Sequence, residues 1–359
     1  MKKYIIIGVL VLAIVAMIVG PMLNSKGNGP VAEDDAPALF TFKDNLATRW
    51  NEVIPLSIQV NSKDIRKLEL IYNDSVFMTW TQPKGALSYR FNAGFFGLGT
   101  RSLVLLSTLN DGTTFMDNRM VRVLSDIRPE IWIAETANEF PHEATSFTQG
   151  LEFNEGTLFE GTGQKGQSFV AQVDLNSGSI KKKMGLDATY FGEGISVLGE
   201  KLYQLTWQEQ KCFVYNKNTL QLEKDLSYNG EGWGLCNNGE HLIMSDGTER
   251  LVFRDPENFQ VVRTIEVYDD RGPVSKLNEL EYIDGKIYAN VWMTNSVVVI
   301  QPENGKVLAV IDATELVRKG RGTGDVLNGI AVNPANGKIY MTGKNWPKLF
   351  EVRIKKPNA

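Results

Sequence analysis

Five short runs decide the fold: Gln149-Gly-Leu-Glu-Phe153, Glu193-Gly-Ile-Ser-Val197, Trp233-Gly-Leu-Cys-Asn237, Asn278-Glu-Leu-Glu-Tyr282 and Asn328-Gly-Ile-Ala-Val332. Each places a polar or aromatic residue and a Gly or Glu ahead of a strand. They recur at intervals of 40 to 50 residues, and self-similarity at such a period marks a repeat architecture. A second strand follows each turn, such as Lys201-Leu-Tyr-Gln-Leu205, Lys286-Ile-Tyr-Ala-Asn290 or Lys338-Ile-Tyr-Met-Thr342. A third follows, such as Cys212-Phe-Val-Tyr215, Val297-Val-Val-Ile300 or Leu349-Phe-Glu-Val-Arg353, and a fourth closes four of the units, as in Lys306-Val-Leu-Ala-Val-Ile311. Four short antiparallel strands per unit make a propeller blade. The expectation is a five-bladed β-propeller over residues 129–359.

The fifth unit stops at Ile354 with three strands. Glu130-Ile-Trp-Ile-Ala-Glu-Thr136, just ahead of the first unit, is a strand with no blade of its own. It is expected to pair with Leu349–Ile354 and close the ring.

Ahead of the repeat, residues 38–128 carry short alternating runs: Ile54–Val60, Lys67–Tyr72, Ser75–Trp80, Ser102–Leu106 and Met120–Leu124. Asn110-Asp111-Gly112 reads as a hairpin turn of the kind that needs positive φ. Six or seven strands without a helical period predict a small immunoglobulin-like β-sandwich. It lacks the Cys pair of antibody domains and carries no cluster that suggests catalysis, so it reads as a spacer or docking module. Residues 24–37 (NSKGNGPVAEDDAP) read as a flexible tether.

Residues 1–23 hold an uncharged run from Tyr4 to Leu23 behind Lys2 and Lys3. About 20 apolar residues span a bilayer as a helix, and a cleaved signal would have a shorter apolar stretch and a small-x-small exit. An uncleaved transmembrane anchor is expected. Lys2 and Lys3 on one side, with Glu33-Asp34-Asp35 on the other, put the N-terminus in the cytoplasm. The rest is then exported and lies on the outer side of the membrane. The whole chain is thus expected to be all-β behind one transmembrane helix.

Composition narrows the chemistry. With 38 basic and 42 acidic residues the chain has a net charge of -4, without the basic footprint of a nucleic-acid binder. It holds only two His (His142, His241) and two Cys (Cys212, Cys236). No zinc site of His and Cys can form unless all four converge, and whether the two Cys pair is open. Chemistry falls to carboxylates, amides, Lys, aromatics and hydroxyls.

A propeller gathers its site where strand starts and crossing loops meet at one mouth of the channel. Strand starts supply Phe147-Thr-Gln149-Gly150, Phe191-Gly-Glu193-Gly194, Glu231-Gly-Trp233-Gly234 and Asn278-Glu279. Second-strand ends supply Leu205-Thr206-Trp207, Asn290-Val-Trp292 and Thr342-Gly-Lys344-Asn-Trp-Pro347. These segments, in this order over residues 130–356, resemble the plant and bacterial type of glutaminyl cyclase (glutaminyl-peptide cyclotransferase), a five-bladed propeller family.

The resemblance implies that an N-terminal Gln of a peptide or protein closes to pyroglutamate with loss of ammonia. It implies Glu193 as general acid and base, and Trp207, Trp233 and Trp292 as the aromatic pocket. Asn278 would hydrogen-bond the carboxamide or the tetrahedral oxyanion. Lys344 would give charge to that oxygen or orient Glu193. Phe147 and Gln149 match pocket positions of the first blade. No catalytic metal is implied, unlike the zinc-dependent animal type of different fold, and a structural cation in the channel is left open.

Each residue also has a plainer reading. Propeller tryptophans often pack between blades, Gly-Glu-Gly can be an exposed turn, and Lys181-Lys182-Lys183 suits a solvated strand edge. A non-catalytic propeller that binds a partner at the cell surface, or a propeller lyase or hydrolase-like enzyme, would use the same mouth.

Overall fold

A computed structural model describes residues 36–357. The expected anchor, residues 1–23, and residues 24–35 of the expected tether lie outside them.

The first part of the described chain is two facing sheets. One orders Ala38–Phe40, Val53–Val60 and Gly85–Asn92; the other orders Leu46–Arg49, Thr114–Leu124, Gly99–Leu109, Ile65–Tyr72 and Ser75–Thr81. Alternation along Val53–Val60 puts Leu56, Ile58 and Val60 inside with Phe40, Leu68, Leu70 and Phe91, the two-residue period of a half-buried strand. Leu46–Arg49 runs parallel to Thr114–Leu124, so the first strand region splits between both sheets. There are eight strands rather than six or seven. The strands without a named run are Ala38–Phe40, Leu46–Arg49 and Gly85–Asn92; the first two are three and four residues long, too short to show a period. At the hairpin tip only Gly112 has positive φ, at 90°; Asp111 instead accepts the Thr113 N–H.

Four-stranded sheets then follow in chain order: Thr148–Asn154 to Ile180–Gly185, Gly192–Leu198 to Leu222–Ser227, Leu235–Asn237 to Val261–Glu266, and Leu277–Ile283 to Val307–Asp312. A fifth contributes Leu327–Asn333, Lys338–Gly343 and Lys348–Lys355. The innermost strands neighbour one another in a ring that returns from the fifth to the first. These strands are buried on both faces, whereas the outermost strand Ile180–Gly185, with the Lys181–Lys183 run, is exposed on alternate residues or more.

The closing strand is Glu130–Pro141, longer than the expected seven residues. It pairs antiparallel with Lys348–Lys355, Val352 opposite Thr136 and Ile354 opposite Ala134. Its first residues also run parallel to Val307–Asp312, which fuses blades four and five into one eight-stranded sheet. One short helix, Thr314–Gly320, seats Leu316 and Val317 in the core beneath this seam. The sandwich leans on the propeller through Arg101–Glu266 and Lys306–Asp126, both at 2.7 Å, and through Tyr268, which enters the sandwich core. Cys212 and Cys236 are buried and unpaired.

Candidate active site

The five opening runs do their work through a shared irregularity. In blades one, two, four and five the innermost strand slips register just after its start: between Thr148 and Gly150, Gly192 and Ile195, Leu277 and Leu280, Leu327 and Ile330. A bulge takes residues out of the ladder and re-aims their side chains. The residues at these slips are Gln149, Glu193, Asn278 and Asn328. In blade three Trp233 takes the same place, its N–H bonded to the Ser245 carbonyl at 3.0 Å. The glycine that follows lets neighbouring strands close in. A Cβ on Gly150 would strike Ile195, one on Gly194 would strike Gly234 and Leu235, and one on Gly234 would strike Asn278.

At this mouth lies a cavity of about 260 Å³, and Phe147, Gln149, Glu193, Trp207, Trp233, Asn278, Trp292 and Lys344 all line it, with Phe191 and Asp325. All eight residues to which the resemblance gives a site role therefore line the same space. The rings form two groups. Phe147, Phe191 and Trp207 meet edge to face at 6.1 and 5.7 Å, and Trp233 meets Trp292 at 5.5 Å and 89°. Glu231 joins the groups by accepting both Trp207 Nε1–H (2.8 Å) and Trp233 Nε1–H (3.0 Å).

Glu193 is 5% exposed, and no hydrogen bond to its carboxyl is made among the described residues. Burial pushes its pKa well above the ordinary carboxylate range; Lys344 pulls it back, while Glu231 and Glu209 push it further up. Burial lowers Lys344, against the pull of Glu193 and Asp325, and its Nζ sits 4.7 Å from the Phe147 ring centre. Among the described residues Asn278 Oδ1 is buried without a partner, an orphan acceptor that a donor on a bound group would satisfy. Asn328 Nδ2 donates to Gln149 Oε1 at 3.2 Å and to the Thr148 carbonyl at 3.0 Å, which turns the Gln149 amide NH₂ toward the cavity.

The turn that carries Lys344 is pinned to blade one. His142 Nδ1 meets the Trp346 carbonyl at 2.6 Å and Nε2 meets Glu160 Oε1 at 3.0 Å. The Asn345 N–H donates to the Ser146 carbonyl at 2.7 Å, and Trp346 Nε1 to the Asp325 carbonyl at 2.9 Å. Burial alone would lower the His142 pKa, but the charge and hydrogen bond of Glu160 raise it. His142 is thus a structural clamp. His241 lies at the edge beside Glu240, 3.7 Å away.

Sequence reasoning missed Phe191, Asp325 and Asn328 as site residues, and the double acceptor role of Glu231. Asn328 had a usable signal, since it opens the fifth repeated run. Asp325 had none, standing in a loop without repeat equivalents. Among the described residues no three His, Cys, Asp or Glu side chains gather to hold a metal ion.

Comparison with known proteins shows the family. Residues 108–354 match the sequence model of the glutamine cyclotransferase family. The chain is 39% identical over 241 residues to a glutaminyl-peptide cyclotransferase of Arabidopsis thaliana, covering 65% of this chain and 75% of the relative. The crystal structure of Myxococcus xanthus glutaminyl cyclase superposes with a TM-score of 0.61 at 41% identity, over 64% of this chain and all of that one.

Proposed function

The chain belongs to the glutamine cyclotransferase family, and we infer from its site how it turns an N-terminal glutamine into pyroglutamate. It is a glutaminyl-peptide cyclotransferase. The carrying observation for the mechanism is Glu193: a buried carboxyl without a hydrogen-bond partner, facing an aromatic cavity sized for one residue.

The substrate's α-amine has an ordinary pKa near 8, so a useful fraction is neutral near physiological pH. The two aromatic groups fold the glutamine side chain back on that amine and exclude water, converting proximity into rate. The amine nitrogen forms a bond to the side-chain carboxamide carbon. The Glu193 carboxylate takes the proton that this nitrogen sheds. It then gives the proton to the departing amide nitrogen, and the carbon–nitrogen bond breaks to release ammonia and the five-membered lactam. Burial raises the Glu193 pKa above the ordinary carboxylate range, which makes its carboxylate a stronger base toward the attacking nitrogen. Lys344 and the NH₂ groups of the Gln149 and Asn278 amides would donate to the carboxamide oxygen as charge builds on it, and Asn278 Oδ1 would accept from the substrate's N–H.

The test uses the full chain with Gln-initiated peptides, reading released ammonia. N-acetylated Gln, which lacks the nucleophile, and N-terminal Asn, which would form a strained four-membered ring, should stay unreacted. Turnover of acetyl-Gln would overturn this mechanism. We propose further that no metal takes part in catalysis. Exhaustive chelation should leave turnover intact, and loss that zinc alone restores would refute it. The apolar run Tyr4–Leu23 supports a membrane-anchored, exported enzyme, with residues 38–128 holding the propeller of 129–359 away from the bilayer. A mature N-terminus beyond residue 20 in the native host would contradict the anchor.

A further inference from the structure

A second cavity, about 770 Å³, opens beside the site between blades two and three. Glu231, the acceptor for the indoles of Trp207 and Trp233, stands on its rim, so the two spaces share a wall. On its floor Arg254 lies against two rings, 5.4 Å from the centre of Tyr228 and 4.8 Å from that of Phe259. The residue is 6% exposed. Its Nη1 donates to the Phe259 carbonyl at 2.9 Å, but its Nε has no partner, and no carboxylate forms an ion pair with it among the described residues.

Asp246 attracts Arg254 only from beyond ion-pair distance; a buried guanidinium without a paired anion is costly, and its planar fork fits a carboxylate better than any other protein group. The carboxylates along the rim are already engaged: Glu209 with Lys165 at 2.9 Å, Glu231 with the indoles, and Asp246 with the Thr248 N–H at 3.0 Å. Lys211 is tied to Asp225. Charge is thus ordered along the cleft. Acidic groups stand at the site end, where the substrate's ammonium enters. Arg250 and then Arg254 follow on one strand, separated by about 13 Å at the rise of a β-strand.

We propose that this cleft is a subsite for the peptide segment that follows the N-terminal glutamine, with Arg254 receiving a carboxylate from it. It rests on the reading of the mouth as the glutamine site and deepens it: the preferred substrates are Gln peptides with an acid a few residues downstream. An extended chain covers about 3.3–3.6 Å per residue, so the stretch from Arg250 to Arg254 corresponds to about four residues. The carboxylate comes from an Asp or Glu side chain or from the C-terminus of a short peptide.

The experiment measures kcat/KM of the full chain on Gln-initiated, C-terminally amidated peptides in which a single Glu is scanned through positions two to six against Gln. A second arm compares free and amidated C-termini at matching lengths. One position should favour the acid about tenfold, and the arm that shows it identifies the source of the carboxylate. Arg254→Met keeps the apolar contact with Tyr228 and Phe259 and removes the charge; it should bring the ratio within twofold. Gln260→Glu, an exposed change on the cleft wall, supplies a competing anion without disturbing the core and should do the same. Cyclisation of all peptides without acid preference at any position or terminus overturns the subsite and leaves the glutamine site standing. A preference that survives both variants also overturns it. Absence of ammonia from every Gln peptide overturns the glutamine site itself.

Discussion

The mouth of the channel and the stretch just below it both hold buried carboxyls, yet they put them to opposite uses. Glu193 at the mouth has no hydrogen-bond partner among the described residues and lines the cavity. Glu279, in the place where four of the five opening runs carry Gly, spends both oxygens on backbone: Oε1 accepts the Leu151 N–H at 3.1 Å and Oε2 the Ile330 N–H at 2.9 Å. It ties blade four to blades one and five. Glu152 likewise accepts from Val197 and Glu281 from Val332, each at 2.8 Å, linking one blade to the next. Burial raises the pKa of all four. A raised pKa therefore marks burial, and the count of partners separates the reactive carboxyl from the structural ones.

The sharpest way to break that contrast is Glu193→Gln. The amide keeps shape and hydrogen-bonding capacity but cannot carry a proton, so kcat should fall about 100-fold or more, the scale of a general acid–base group. Its melting temperature should not fall at neutral pH, because no hydrogen-bond partner is lost and a buried charge is removed. Near-normal turnover in the folded variant would hand the proton to another group and erase the distinction.

Glu279→Gln should show the reverse pattern. One of the two backbone N–H groups would face an NH₂ and lose its acceptor, at a cost of about 1–3 kcal/mol for a buried donor. Burial raises the Glu279 pKa, opposed by the Leu151 and Ile330 hydrogen bonds, so the folded protein binds this proton more tightly than the unfolded chain. Its contribution is fully present below the unfolded value of 4.5 and is lost as pH rises through the raised one. Gln carries no such loss. The gap in melting temperature between wild type and variant should thus be wider at pH 5 than at pH 9. A gap that widens with pH would mean the carboxylate is stabilised in the channel after all.

These two carboxyls also show what the sequence could and could not convey. Glu193 was legible as a position because it opens one of five runs in phase, as Gln149 and Asn278 do, and its role came from the resemblance to glutaminyl cyclases. The same phase made the blade count and the closing strand readable. Glu279 was legible only as part of a motif, since its partners are backbone N–H groups of distant blades and backbone leaves no residue signature. The parallel contact of Glu130–Ile133 with Ala309–Asp312 was hidden for the same reason. Asp325 and the His142–Glu160 clamp join loops whose closeness exists only once the ring is shut.

The smallest effect expected concerns the wall between the two groups of rings. Glu231 is partly exposed, and burial, which would raise its pKa, is outweighed by hydrogen bonds from Gln208, Trp233 and Trp207 that hold it below the ordinary value. It therefore stays charged through the neutral range and acts on the indoles rather than on the proton. Glu231→Gln leaves a neutral carbonyl to accept from two indoles, and charge-assisted bonds are roughly twice as strong as neutral ones. At about 1.4 kcal/mol per tenfold, loosened rings should raise KM for Gln peptides roughly threefold to tenfold and leave kcat within about twofold. Tryptophan emission should shift with it, since Trp207 and Trp233 lose a charged partner. A fall in kcat as large as that of Glu193→Gln, with KM unchanged, would show that Glu231 handles the proton and that the partner-free carboxyl at the mouth is not the reactive one.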